Sequence, residues 1–224
     1  MNFNGTATTI GSLPNVNPQV ALQLILKYTP EIPAWPQLPK RTFKENMYVQ
    51  YSENFPGIVV DENAEKIFVN IEIALKDLEK FYEHFLANNI DYFRISNEYA
   101  AGFHFLLNYL ITQSPNHPIT AIKCQTTGPV TFGLAVKTET GQSIFYDTQL
   151  RDAVIKHITM KSVWQIKELT VNSKQVADSI VLFLDEPYLA AYGSAFTAIS
   201  REEIINSLQE VISGIKTSFH QITK

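Results

Sequence analysis

Hydrophobic and polar positions follow two different periods along this chain, and the changes of period mark its elements. Val20, Leu22, Leu24, Ile25 and Leu26 follow Asn17-Pro18, a capping residue and a proline suited to the first helical position. That pattern predicts a helix to about Tyr28. Helices are also expected over Phe43–Ser52, Ile73–Asn88, Glu98–Ile111 and Leu150–Leu169. The second of these is the clearest, because Leu75, Leu78, Phe81, Tyr82, Phe85 and Leu86 share one face. Ser200-Arg201-Glu202-Glu203 reads as a capping box opening a helix to about Ile215. Short β-prone runs fall at Thr6–Ile10, Asp91–Ser96, Ile119–Gln125 and Ser179–Leu184. Gly57–Val60 and Lys66–Val69 flank a polar turn and predict a β-hairpin. A second hairpin is expected around Thr140-Gly141-Gln142 within Leu134–Tyr146. Pro30, Pro33, Pro36 and Pro39 exclude helix from Thr29 to Lys40, and Trp35 and Leu38 favour a buried strand over a linker at Ile32–Leu38.

Strands alternating with helices imply an α/β protein with a parallel sheet. Polar residues gather just after each strand: Ser12, Gln37, Ser96 to Glu98, Thr126 to Thr127, and Asp185 to Glu186. That edge is where α/β folds place ligands. Composition narrows the class. Of 224 residues, 45% are hydrophobic and 18% charged, which suits a folded globular chain. The net charge of −4, with no basic run, argues against a nucleic-acid partner. No run of about 18 apolar residues exists to span a membrane, and Met1 to Gly5 carries no secretory signal. A cytoplasmic enzyme or binding protein is expected. Cys124 is the single cysteine, which excludes an internal disulfide and a multi-cysteine zinc site. Within a predicted strand it reads as a small hydrophobe. His84, His104 and His157 read as helical packing or surface residues and His117 as a loop residue, none at ligand spacing.

Three strings, in order, carry a family resemblance. Thr8-Thr9-Ile10-Gly11-Ser12-Leu13-Pro14 resembles the first strand of the catalytic domain of cobalamin-independent methionine synthases. Thr127-Gly128-Pro129-Val130-Thr131 resembles a later strand-end motif of that family, and Leu184-Asp185-Glu186-Pro187 the next. The resemblance covers nearly the whole chain. It implies a (β/α)8 TIM-type barrel, here about the first five strands with two β-hairpin insertions, as one partial barrel domain over residues 1–224. It also implies methyl transfer to the thiol of homocysteine, with the methyl donor a methylated folate or a methyl-corrinoid protein. Asp185 matches the acid that receives the substrate ammonium. Ser12, with the Gly11–Ser12 backbone, matches the group that receives the substrate carboxylate, and Glu98 a second acid near the amino group. No further catalytic residue is assigned.

The family holds zinc, which keeps the substrate sulfur as thiolate. Its zinc ligands follow the Asp-Glu-Pro strand, in a His-x-Cys or His-Cys-Cys motif. His220 has no cysteine two residues on and is not equated with the zinc histidine. Hence no metal is expected in this chain, which reads as truncated and inactive alone. The open sheet edges of a partial barrel would invite self-association. Other readings stay open. A decarboxylase of the same barrel superfamily, acting on uroporphyrinogen, needs basic residues for several carboxylates, and Arg41 and Arg94 are the only early arginines. A non-catalytic fragment binding a small amino acid or a partner subunit is the third reading. Read without the family, Asp185-Glu186-Pro187 serves as a strand-to-loop cap, Ser12 as a turn residue and Glu98 as helix N-terminal charge. Gly128-Pro129 reads as a turn that glycine permits.

Overall fold

A computed structural model describes residues 3, 5–112, 118–173, 177, 179–194 and 198–222, with the side chains of 220–222 outside that set. His117 and the side chain of His220 therefore lie outside the described residues. The described residues are mixed α/β, 52% helix and 14% strand. It gathers into two compact units. Unit 1 comprises Met1–Gln50, Ile95–Gln125 and Gln165–Phe183; unit 2 comprises Tyr51–Arg94, Thr126–Trp164 and Leu184–Lys224.

In unit 1, α1 (Pro18–Tyr28) begins as expected: the Asn17 carboxamide oxygen accepts from the N–H of Gln19 and Val20, and Pro18 takes the first position. Its buried Ala21, Leu22 and Ile25 face α3 (Ala101–Thr112). Four extended stretches run side by side in parallel. Ser12 bridges Gln37, Ala34 bridges Lys123, and β3 (Ile122–Thr127) pairs with β5 (Ile180–Asp185). The Ile122 N–H bonds the Ser179 carbonyl at one end of that pair and Gly128 N–H bonds Asp185 at the other, so β3 and β5 run in the same direction.

Unit 2 contains the first expected hairpin. β1 (Ile58–Asp61) pairs antiparallel with β2 (Lys66–Val69), and β2 pairs in parallel with the two-residue β4 (Lys137–Thr138). Gly57 precedes it with φ +66°, and a Cβ there would lie 2.5 Å from the Asn70 carbonyl, so only glycine fits. α2 (Ile71–Leu86) is capped by Asn70, whose side chain accepts from the Ile73 N–H; the Glu139 carboxylate accepts from Ile71. α4 (Pro129–Ala135), the part of α5 (Thr148–Ser173) up to Trp164, and α6 (Arg201–Ile222) complete the unit. Asp147 caps α5, its side chain accepting from Gln149 and Leu150. The capping box of α6 is present: Glu203 accepts from the Ser200 N–H and Ser200 Oγ accepts from Glu203 N–H. Val130, Leu134, Phe145, Ile199 and Ile204 form a core cluster beneath it.

Several expectations are corrected. Thr6–Ile10 forms no strand, and Ile32–Leu38 contributes isolated bridges in place of a ladder. Prolines 33 and 36 remove the donors a longer ladder would need. Phe43–Ser52 has only a 3-10 turn at Phe43–Glu45, because Gln50 is drawn into side-chain bonds and the Tyr51 carbonyl bonds His157. Asp91–Ser96 is a 3-10 turn at Ile90–Phe93 followed by coil. The carbonyls there are taken by side chains: Tyr92 by Asn54, Arg94 by Lys161 and Ile95 by His104. The second hairpin reduces to β4 and a bridge from Lys137 to Ser143, since Leu134 belongs to α4. No closed barrel is formed among the described residues, whose strands make one three-stranded and one two-stranded sheet.

Candidate functional site

The sequence-predicted site residues fall in both units: Gly11, Ser12 and Glu98 in unit 1, Asp185 in unit 2. Gly11 and Ser12 close the first extended stretch. Ser12 is exposed and bridges Gln37, and Leu13 N–H donates to the Gln37 carbonyl at 2.9 Å. Gln37 is buried, and its Nε2 donates to Gln50 Oε1 at 2.8 Å. Gln50 in turn donates to the Tyr99 carbonyl. An added Cβ at Gly11 would come 3.2 Å from Gln37 Oε1, so glycine leaves the amide oxygen room beside Ser12.

Beneath this edge lies Lys123, fully buried on β3. Its Nζ donates to the Ile10 carbonyl at 2.8 Å and to Gln125 Oε1 at 3.2 Å, and sits 4.4 Å from the Phe183 ring centroid. Gln125 donates to the Trp35 carbonyl, and Trp35 Nε1 donates to Gln165. A lysine inside the apolar run Ile119–Gln125 was the available signal for this group, and sequence reasoning passed over it.

Glu98 lies in the turn before α3 and is well exposed. Lys44 Nζ donates to its carboxylate at 2.6 Å, and that bond holds Glu98 below the usual carboxylate range. Glu45 was also missed. It is buried, accepts from Arg41 at 2.6 Å, and its other oxygen has no partner among the described residues. Burial raises its carboxyl above the ordinary value, outweighing the bonds from Arg41.

In unit 2 the two later motifs of the resemblance meet. Gly128 N–H donates to the Asp185 carbonyl at 2.9 Å. Glu186 places its carboxylate on the first turn of α4, accepting from Val130 N–H at 2.9 Å and Thr131 N–H at 2.6 Å. Thr131 Oγ1 then accepts from the Tyr188 N–H. Burial pushes the Glu186 carboxyl up, and these N–H bonds oppose the shift. Gly128 has φ −72°, so it is no left-handed turn residue. It is glycine because a Cβ would lie 2.2 Å from Glu186 Oε1. Glu186 is thus the residue that locks this strand end.

Zinc finds no donor set among the described residues. No three His, Cys, Asp or Glu come together, and burial pushes the Cys124 thiol up to about 12, away from the thiolate a metal needs. Among the described residues no helix is long and apolar enough to cross a membrane. No family model, curated protein or solved structure matches this chain.

Proposed function

We propose that this chain carries the amino-acid-binding part of a homocysteine S-methyltransferase of the cobalamin-independent methionine synthase type. On this reading the parallel succession Ser12–Gln37, Ala34–Lys123 and β3–β5 is the beginning of a (β/α)8 barrel. The observation that carries it is the interlock of two motifs of the resemblance, Gly128 N–H on Asp185 and the Glu186 carboxylate on α4. That bonding fixes the backbone at Asp185, the residue proposed to take the substrate ammonium. The resemblance gives Ser12, with Gly11, the role of receiving a carboxylate and Glu98 that of a second acid, both within unit 1. The methyl donor, a methylated folate or a methyl-corrinoid protein, is left open by these residues.

A tetrapyrrole decarboxylase draws less support, since Arg41 is committed to Glu45. Calorimetry with homocysteine and methionine tests the proposal on the full chain. Asp185→Asn is expected to weaken binding by about 2–5 kcal/mol, the cost of leaving one partner of a buried charge pair alone. Folded protein that binds neither amino acid, or binds equally after Asp185→Asn, would sink the reading.

A further inference from the structure

Two polar side chains stand on the buried side of α5 one helical turn apart. His157 and Lys161 are both fully buried. Each is held by a main-chain carbonyl: His157 Nε2 lies 2.7 Å from the Tyr51 carbonyl and Lys161 Nζ 2.7 Å from the Arg94 carbonyl. Tyr51 and Arg94 are the first and last residues of one continuous stretch of unit 2, which holds the β1–β2 hairpin, α2 and the Ile90–Phe93 turn. One helix therefore grips both ends of that stretch.

A carbonyl can only accept, so the imidazole donates from Nε2–H and its Nδ1 is the acceptor. Nδ1 is buried without a partner among the described residues. The rings of Phe55, Phe81, Phe93 and Phe132 lie around the imidazole, with ring centroids 5.3, 6.1, 6.0 and 6.3 Å from its own. Three of these four belong to the gripped stretch. A second proton would put an unbonded N–H and a charge into hydrocarbon, which is costly. The charged groups at hand are Lys161, on the same helix, and Glu53 and Arg94, which act on Lys161. Burial, then Lys161, holds His157 well below the ordinary histidine value; burial pushes Lys161 down to about 7.

We propose that His157 and Lys161 form a pH-sensitive clasp on the Tyr51–Arg94 stretch, and that charging the imidazole detaches the hairpin and α2 locally while α6 stays folded. Acid is the releasing direction. Between 6.5 and the lower value of the clasped ring, the released state holds one proton more, so its population rises about tenfold per pH unit as pH falls. Lys161 acts in the same sense at higher pH: between 10.5 and about 7 the detached amine keeps the proton that the buried one has lost.

Hydrogen exchange with mass spectrometry on the full chain between pH 6.5 and 5.5, below the window in which Lys161 acts, corrected for intrinsic rates, reads the imidazole side of the clasp. Peptides from Tyr51–Arg94 are expected to gain exchange by about tenfold per pH unit, with α6 peptides unchanged. His157→Gln keeps an N–H donor and cannot titrate, so it should abolish the step and retain protection. An unchanged step in that variant, or protection lost evenly along the chain, overturns the proposal. Should the variant not fold, histidine ring titration by NMR on the unaltered protein decides. A His157 midpoint below 6.5, in step with the local exchange, supports the clasp; a ring that stays neutral through the exchange step overturns it.

Discussion

Gly128 and Glu186 show at the scale of one residue how far a motif can be read. The strings Thr127-Gly128-Pro129 and Asp185-Glu186-Pro187 stood out, but what Glu186 does depends on a partner more than fifty residues away in sequence. Its carboxylate supplies acceptors for two N–H groups at the start of α4. Glu186→Ala leaves those donors without it and should cost about 1–3 kcal/mol. Gly128→Ala puts a methyl 2.2 Å from Glu186 Oε1, the movable end of a side chain, so Glu186 must withdraw and the same bonds are lost. The two substitutions should therefore not add: the double variant is expected to melt in urea close to the worse single one. Full additivity would mean that the glycine answers to something else. The pH sense at Glu186 is unusual. Its raised carboxyl makes the fold take up a proton first, so its contribution grows as pH falls toward 4.5, whereas Glu203, held low by Ser200 and Arg151, loses its contribution as pH falls through its folded value. Lys123 was legible only as a charge in an apolar run, and Glu45, between Lys44 and Asn46, carried no such signal. Nothing local distinguishes a buried, bonded charge from a badly placed one.

At the scale of the element, the capped helices, the β1–β2 hairpin, β3 and β5 were legible, whereas the helix expected at Phe43–Ser52 and the strand expected at Asp91–Ser96 did not form and α4 was not foreseen. A helix start is written in adjacent residues: Asn17-Pro18 and Ser200 to Glu203 cap as their spacing dictates. A strand exists only if a neighbour takes its carbonyls. At Asp91–Ser96 the β-prone side chains were present, yet Asn54, Lys161 and His104 took the carbonyls instead. α3 offers a test of element packing. Gly102 sits where a Cβ would fall 1.9 Å from the Pro36 carbonyl oxygen. Replacing a helical glycine by alanine in an open setting gains about 1 kcal/mol. Here two backbones are in contact, so Gly102→Ala should instead lose about 1–3 kcal/mol in a thermal or denaturant melt. A stabilised variant would show that α3 stands farther from Pro36 than described.

For the molecule as a whole, the parallel order of extended stretches was legible and the closure of a barrel was an expectation from resemblance alone. Strand–helix alternation is a property of the chain; closure depends on ladders that here are single bridges. The division into two units also crosses the elements. β3, α5 and β5 each begin in one unit and end in the other. Neither unit is a continuous length of chain, which matters during synthesis. Unit 1 opens with residues that leave the ribosome early, yet β3 lacks its neighbour until β5 has been made. At ordinary elongation rates that interval, from Gln50 to Phe183, is on the order of ten seconds. Through it Trp35, Leu38 and Phe103, all buried in the finished protein, have no complete core to enter. A nascent chain halted after Ser173 should accordingly be cut readily by protease within Met1–Gln50, and one extended past Asp185 and clear of the exit tunnel should resist; equal resistance at both lengths would show that unit 1 assembles without β5. The route of the backbone thus sets a period of exposure that the folded molecule no longer reveals.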